Sequence, residues 1–248
     1  MAVIDFHSHI LPGIDDGSKN VETSLSMLKM AADQGVGIMI ATPHFYASKH
    51  RVEYFLKKRQ NAYDLLKDDL DGHKDMTVPK ILCGAEVAFF NGISQADKLD
   101  RLTIAGTNLL LLEMPFRPWT DRDIREVRAL TEERHFQIIF AHLERYTDIG
   151  TNKRRFAELI IPSAYVQINA ESISDGGLFG MLRRKKLIRM FQNGTAHFLG
   201  SDCHGVHHRP PNLADGRNVL KSRLGSDFLC DMDHRGGRLL GLEGENDV

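Results

Sequence analysis

The chain has 248 residues, enough to bury a substantial core, and its 42% hydrophobic and 26% charged content is that of a globular protein. Lysine and arginine total 32 against 33 acids, so no net field draws the chain onto nucleic acid or an anionic lipid surface. The first residues lack a secretory pattern, no apolar run reaches membrane-spanning length, and Cys83, Cys203 and Cys230 are too scattered for a disulfide framework. These features predict a cytoplasmic protein with no nucleic-acid partner and no membrane insertion.

In chain order, Val3–Phe6 reads as a short strand, followed by a helix from about Val21 to Gln34. That helix sets Val21, Leu25, Leu28 and Ala32 on one face and stops at Gly35. "VGIMIATPH" is a second strand. Val52, Phe55, Leu56, Tyr63, Leu66 and Leu70 then recur at helical spacing. "KILCGAE", "NLLLLEM", "QIIFAH", "YVQINAE" and "AHFLGSDCH" are five further short apolar runs. Helices near Asp121–Glu133, Asn152–Ile160 and Phe179–Gln192 separate the last four of these strands. Nearly continuous apolar strands alternating with helices imply parallel strands covered by helices, and seven such units suit a closed or nearly closed β/α barrel. No composition break marks a linker, so residues 1–248 are expected to form a single domain. Gly236, Gly237, Gly241 and Gly244 argue against a stable final helix, which leaves a flexible tail from about residue 236.

The strand ends carry the chemistry. The first strand ends in His7 and His9, with Asp15 and Asp16 a few residues on; alternate residues of a strand face one side, so the two histidines can converge. His44, Glu86, Glu113 and His142 end the next four strands, and Asp202 and His204 end the seventh. In a β/α barrel these ends meet at one face. A lone histidine at a strand end is more often structural than a ligand, but so many imidazoles and carboxylates at equivalent positions are not independent accidents. His7, His9, Asp16, His44, Glu86, Glu113, His142, Asp202 and His204 are too many donors for one ion that keeps an open position. Two or three divalent transition-metal ions sharing bridging carboxylates would use them, and the mixture suits manganese, iron or zinc. Metals about 3.5–4 Å apart clamp the attacking and leaving oxygens of phosphoryl hydrolysis. His50, His73, His135, His197, His207, His208 and His234 show no such convergence, His207 and His208 being candidate rim contacts.

The motifs "DFHSH", "ATPH", "GAE", "AHLERY" and "SDCH" resemble those of the PHP (polymerase and histidinol phosphatase) superfamily. The longer strings "HSHILPGIDDG", "AHLERY" and "SDCHGVHHRPP" resemble the CpsB/YwqE-type tyrosine-protein phosphatases of bacterial capsule and exopolysaccharide synthesis. The resemblance runs from about Val3 to Leu224. It implies a distorted (β/α)7 barrel, a manganese-favouring trinuclear centre, and hydrolysis of phosphotyrosine on the tyrosine-rich tail of a bacterial tyrosine kinase. It also implies that all nine metal positions are filled and that Arg145 and Arg209 bind the phosphate. The family's Asn-Pro pair before the last helix is absent; this chain has "MDHRGGRLLGLEGENDV".

The chemistry suits these residues. A metal lowers the pKa of bound water from about 15.7 to roughly 7, so hydroxide is available to attack phosphorus directly. Guanidinium forks match phosphate oxygens, and a phenol of pKa about 10 leaves without a strong general acid. The plainer readings are an ion pair of Arg145 with Glu144 or Asp148 and a solvated loop position for Arg209. Cys203 followed five residues later by Arg209 imitates the cysteine-phosphatase signature, but Pro210 and Pro211 have no N–H to donate to a phosphate cradle. Cys203 is therefore read as a small buried hydrophobe. Phe116 and Trp119, after Glu113, are candidates to flank a phosphotyrosyl ring, with core packing the stronger alternative for Trp119. Two other uses of the same site remain open: a small-molecule phosphatase acting on histidinol phosphate or a nucleotide, and a non-catalytic metal-stabilised binding module.

Overall fold

Every apolar run becomes a parallel strand, but two of the runs break in the middle. The computed structural model describes residues 2–73, 75–176 and 178–242. Its strands are β1 (Val3–Ser8), β2 (Val36–Ala41), β3 (His44–Phe45), β4 (Lys80–Cys83), β5 (Glu86–Ala88), β6 (Leu109–Glu113), β7 (Gln137–Phe140), β8 (Ala164–Asn169) and β9 (Phe198–Gly200). The helices are α1 (Val21–Asp33), α2 (Val52–Gly72), α3 (Asp121–Glu132), α4 (Asn152–Phe156), α5 (Ala170–Ser174), α6 (Leu178–Gln192), α7 (Leu213–Leu224) and α8 (Ser226–Leu239).

The second apolar run splits into β2 and β3 at Thr42-Pro43, and the third into β4 and β5 at Gly84-Ala85. The lower halves pair in the order β1-β2-β4, the upper halves in the order β3-β5-β6-β7-β8-β9. Proline cannot donate to a ladder, so the chain bends there. The backbone still crosses the break through Thr42 N to Ser8 O (2.8 Å) and Glu86 N to Pro43 O (3.1 Å). Beyond β9, Ser8 bridges Cys203 in parallel, and Asp202 N donates to His7 O at 2.8 Å. The sheet therefore curls back on its first strand, giving the seven-unit barrel that the pattern suits, distorted as the resemblance implies.

Helices cover the outside. Asn20 caps α1 by accepting from Thr23 N at 2.9 Å, and Gly35, with φ +78°, supplies the left-handed residue just beyond it. Thr120 and Asp123 form a reciprocal capping box at the start of α3. Inside, Leu109–Leu112 and Ile138–Phe140 are wholly buried, and Phe6 stacks on Phe198 at 4.1 Å.

One expectation fails. The chain does form a final helix, α8, and Gly236 and Gly237 lie inside it, both buried. A Cβ at Gly236 would stand 3.0 Å from Ile4 and Phe6, so the glycine lets the helix lie close on β1. The close packing outweighs the poor helix propensity of glycine, about 1 kcal/mol per residue. Gly244 lies outside the described residues.

Candidate metal centre and phosphate site

The sheet delivers the donors to one rim. His7 and His9, two residues apart at the end of β1, are both fully buried. Pairing of β3 with β5 sets His44 opposite Glu86, and pairing of β5 with β6 sets Ala88 opposite Glu113. His142 follows β7, Asp202 and His204 follow β9, and Asp16 comes from the loop before α1. All nine of these side chains meet. Their donor atoms form four sets, each with its members within 4.8 Å of one another: His9, Asp16, His44, His204; His7, Glu86, His142; His7, His9, Asp202; and His44, Glu86, Glu113. His7, His9, His44 and Glu86 each belong to two sets, so the sets share donors.

The hydrogen bonds behind the histidines show that these donors fit metal ions. His7 Nδ1 lies 3.1 Å from Gln167 Oε1, and His9 Nδ1 lies 2.7 Å from Asp15 Oδ2. Both oxygens only accept, so each ring carries its proton on Nδ1 and turns the Nε2 lone pair inward. Those two Nε2 atoms stand 3.1 Å apart, with Glu86 Oε2 3.3 Å from one and 3.4 Å from the other. Three electron-pair donors so close and so buried repel one another unless positive charge lies among them. His44 Nδ1 and Glu86 Oε2 stand 2.8 Å apart as a buried ion pair, with no geometrically formed hydrogen bond to either atom.

The proton affinities point the same way. Burial pulls His9 down, yet the hydrogen bond to Asp15 and the nearby carboxylates of Asp202 and Glu86 outweigh burial and hold it well above its usual value. Burial pushes Glu86 up, but the charge of His7, the His142 ring against Oε1 and the close approach of His44 bring it well below the carboxylate range. Glu113 rises, through burial first and then the charge of Glu86. The pocket thus calls for cations. The backbone is also strained here. Among the described residues five non-glycines have positive φ, and three of them, His142, Asp202 and Arg209, belong to this site.

Arg145 and Arg209 converge on the same rim. Arg209 pairs with Asp202 Oδ2 and places Nη1 3.2 Å from His204 Nε2, while Arg145 Nη1 stands 3.6 Å from the same Asp202 oxygen. Glu144 and Asp148 are occupied elsewhere: Glu144 accepts from Ser172 Oγ at 2.8 Å, and Asp148 pairs with Lys186 at 2.5 Å. With Asn169 and Arg183, both arginines line a cavity of about 340 Å³.

The family of capsular polysaccharide synthesis proteins CpsB/CapC matches residues 3–235. The chain belongs to the CpsB/CapC family. The tyrosine-protein phosphatase CpsB of Streptococcus agalactiae serotype III is 30% identical over 239 residues, covering 91% of this chain and 92% of that one. The tyrosine-protein phosphatase YwqE of Bacillus subtilis is 28% identical over 230 residues, covering 91% and 87%. A chain from the crystal structures of YwqE from Bacillus subtilis and CpsB from Streptococcus pneumoniae, described as unique metal-dependent tyrosine phosphatases, superposes with a TM-score of 0.82. It is 26% identical and covers 97% of this chain and 95% of its own.

Around this CpsB/CapC site the two candidate aromatics separate. Trp119 is 2% exposed, donates Nε1–H to Pro115 O at 3.1 Å and packs on Tyr146; it belongs to the core. Phe116 is 50% exposed, with its ring 6.1 Å from that of His142 and the Arg145 guanidinium 5.4 Å over it. Cys203 is fully buried, and burial pushes its thiol up to about 12, which leaves no thiolate for nucleophilic chemistry. His207 and His208 are exposed beyond the cluster.

Sequence reasoning passed over the residues behind the donors. Asp15 holds His9 and also accepts from His44 N at 3.0 Å, so the two neighbouring aspartates divide their work. Asp5, within β1, accepts from Ser201 N at 2.8 Å, and burial raises it to about 6. Gln167 and Asn169 stand inside β8. The alternation in "YVQINAE" places both on the inner face, and that was the available signal.

Proposed function

We propose that the chain is a metal-dependent protein-tyrosine phosphatase, built as one domain. Its substrate would be the phosphorylated tyrosine-rich tail of a bacterial tyrosine kinase that controls polysaccharide export, and its place of action the cytoplasm. The observation that carries the reading is the meeting of nine imidazole and carboxylate donors with two arginines on one rim, in a chain whose relatives are named tyrosine-protein phosphatases.

His7, His9, Asp16, His44, Glu86, Glu113, His142, Asp202 and His204 would hold two or three divalent ions, with manganese the favoured metal. When bound, the ions would acidify water to supply the nucleophile at neutral pH and offset the phosphoryl charge. Arg145 and Arg209 would take the non-bridging oxygens, since a phosphate offers them the charge they now find on Asp202. Phe116 would lie beside the departing aryl ring. The phenolate leaves with little help, because the free phenol has a pKa of about 10.

The test is manganese-dependent release of phosphate from a phosphotyrosyl peptide, compared with a phosphoseryl peptide and histidinol phosphate. Preference for the phosphotyrosyl peptide is expected. Preference for histidinol phosphate would replace the substrate assignment, and no turnover of any ester by metal-loaded protein would replace the enzyme with a binding module.

A further inference from the structure

We infer that Gln167 and Asn169 form a one-way hydrogen-bond relay that positions His7 and Asp202 for the metal ions. The inference rests on the proposed metal centre and adds two residues that set its geometry without touching the ions.

The direction of the relay is fixed at both ends. The backbone N–H of His142 can only donate, and it meets the Gln167 side chain at 2.8 Å, so the carbonyl Oε1 must face it. That same oxygen faces His7 Nδ1 at 3.1 Å and therefore selects the tautomer with the proton there. With Oε1 so placed, the amide nitrogen of Gln167 points the other way and donates to Asn169 Oδ1 at 2.9 Å. Asn169 Nδ2 then donates to Asp202 Oδ2 at 2.8 Å, and an ionised carboxylate can only accept. A flip of either amide would set donor against donor or acceptor against acceptor, in a place where Gln167 is fully buried and Asn169 nearly so. His7 Nε2 and Asp202 Oδ1 both face His9 Nε2 in one donor set, so one relay orients two of that set's three members.

Two further features serve this relay. Gly200 pairs with Asn169 in the β8–β9 ladder, and a Cβ there would stand 2.7 Å from both Gln167 Nε2 and His7 Cβ. Only glycine leaves the amide its room. Glu144 accepts from Asn169 N at 3.1 Å and from Ser172 Oγ at 2.8 Å, which anchors the far end of β8 to the turn after His142.

The test titrates metal-free protein with Mn²⁺ and records the melting temperature without metal. Gln167→Met keeps the length of the side chain and removes the amide; Asn169→Leu keeps the shape and breaks only the second half of the relay. Each is expected to weaken Mn²⁺ binding by about 10- to 100-fold, the usual cost of losing a partner of a metal-ligating histidine or carboxylate. Asn169→Leu keeps the test available if Gln167→Met does not fold. A structural role alone would lower the metal-free melting temperature and leave the Mn²⁺ affinity of the folded variant within twofold of wild type, and that result overturns the relay. Wild type that binds no Mn²⁺ would overturn the metal centre and the relay together.

Discussion

Replacing Phe116 and Trp119 one at a time with alanine separates substrate recognition from core packing. Trp119 is 2% exposed, and its removal leaves a cavity and takes from the Pro115 carbonyl one of its two donors, at a cost of about 3–5 kcal/mol. In a chain of this length that lowers Tm by roughly 6–20 °C. Phe116 is 50% exposed, so its truncation should cost less than about 1 kcal/mol of stability. An offset or edge contact with the substrate ring is worth about 0.5–1.5 kcal/mol beyond burial, which converts to a loss of about 2- to 13-fold in kcat/KM.

Phe116 also lies under the guanidinium of Arg145, 5.4 Å from its ring, so truncation could act through the phosphate clamp instead. Inorganic phosphate as a competitive inhibitor distinguishes the two, because it uses the arginines and has no ring. The expected result for Phe116→Ala is a fall in kcat/KM on a phosphotyrosyl peptide, an inhibition constant for phosphate within twofold of wild type, and an unchanged Tm. Equal losses on peptide and phosphate would refute ring recognition and place Phe116 as a support for Arg145. A large fall in Tm would place it in the core beside Trp119.

Arg145→Ala and Arg209→Ala should each lower kcat/KM about 10- to 150-fold, the worth of a lost charge-assisted hydrogen bond, with metal content measured by elemental analysis unchanged. Loss of metal in step with activity would make them structural partners of Asp202. Cys203→Ser should retain turnover within a few-fold, since a buried thiol pushed up to about 12 supplies no nucleophile; abolished turnover with metals bound would require a cysteine mechanism. Burial and the charge of Arg235 bring His197 down to about 4, and its Nδ1 accepts from Val166 N at 3.1 Å. The unfolded chain therefore takes up the proton first, so stability is complete above about pH 6.5 and falls as pH drops toward 4. Solvent screening reduces the effect to about 1–2 kcal/mol. Urea unfolding at pH 7.5 and 5 should show a smaller difference in His197→Asn, whose Oδ1 keeps the acceptor and cannot titrate.

What could be read from the sequence depended on rules that act along one strand or through parallel topology. Alternation put His7 and His9 on one side, and parallel order brought the ends of seven apolar runs to a common rim, which is why the convergence of these nine side chains could be expected in advance. The breaks at Thr42-Pro43 and Gly84-Ala85 were hidden because the apolar pattern runs straight through them; the bend arises when the upper half of each run pairs with a different sheet. The final helix was hidden for a related reason. Gly236 is unfavourable within α8 taken alone and becomes an advantage only against Phe6, on the first strand of the chain.

Asp15 and Asp16 show where such rules stop. They are adjacent and chemically identical, yet one holds the back of His9 while the other faces His44 and His204. Gln167 is a sharper case, because its partner His7 lies 160 residues away and nothing in "YVQINAE" marks the amide as different from any buried glutamine. Imidazoles and carboxylates are donors suited to metals, so candidates of this kind announce themselves by type. The groups that orient those ligands need only a correctly directed donor or acceptor, which a backbone N–H, an amide or a carboxylate can each supply. Their identity is set by what stands opposite after folding. The polarity of the relay follows from the His142 N–H at one end and the Asp202 carboxylate at the other, and the pairing of β8 between β7 and β9 brings those two ends within reach of the same strand.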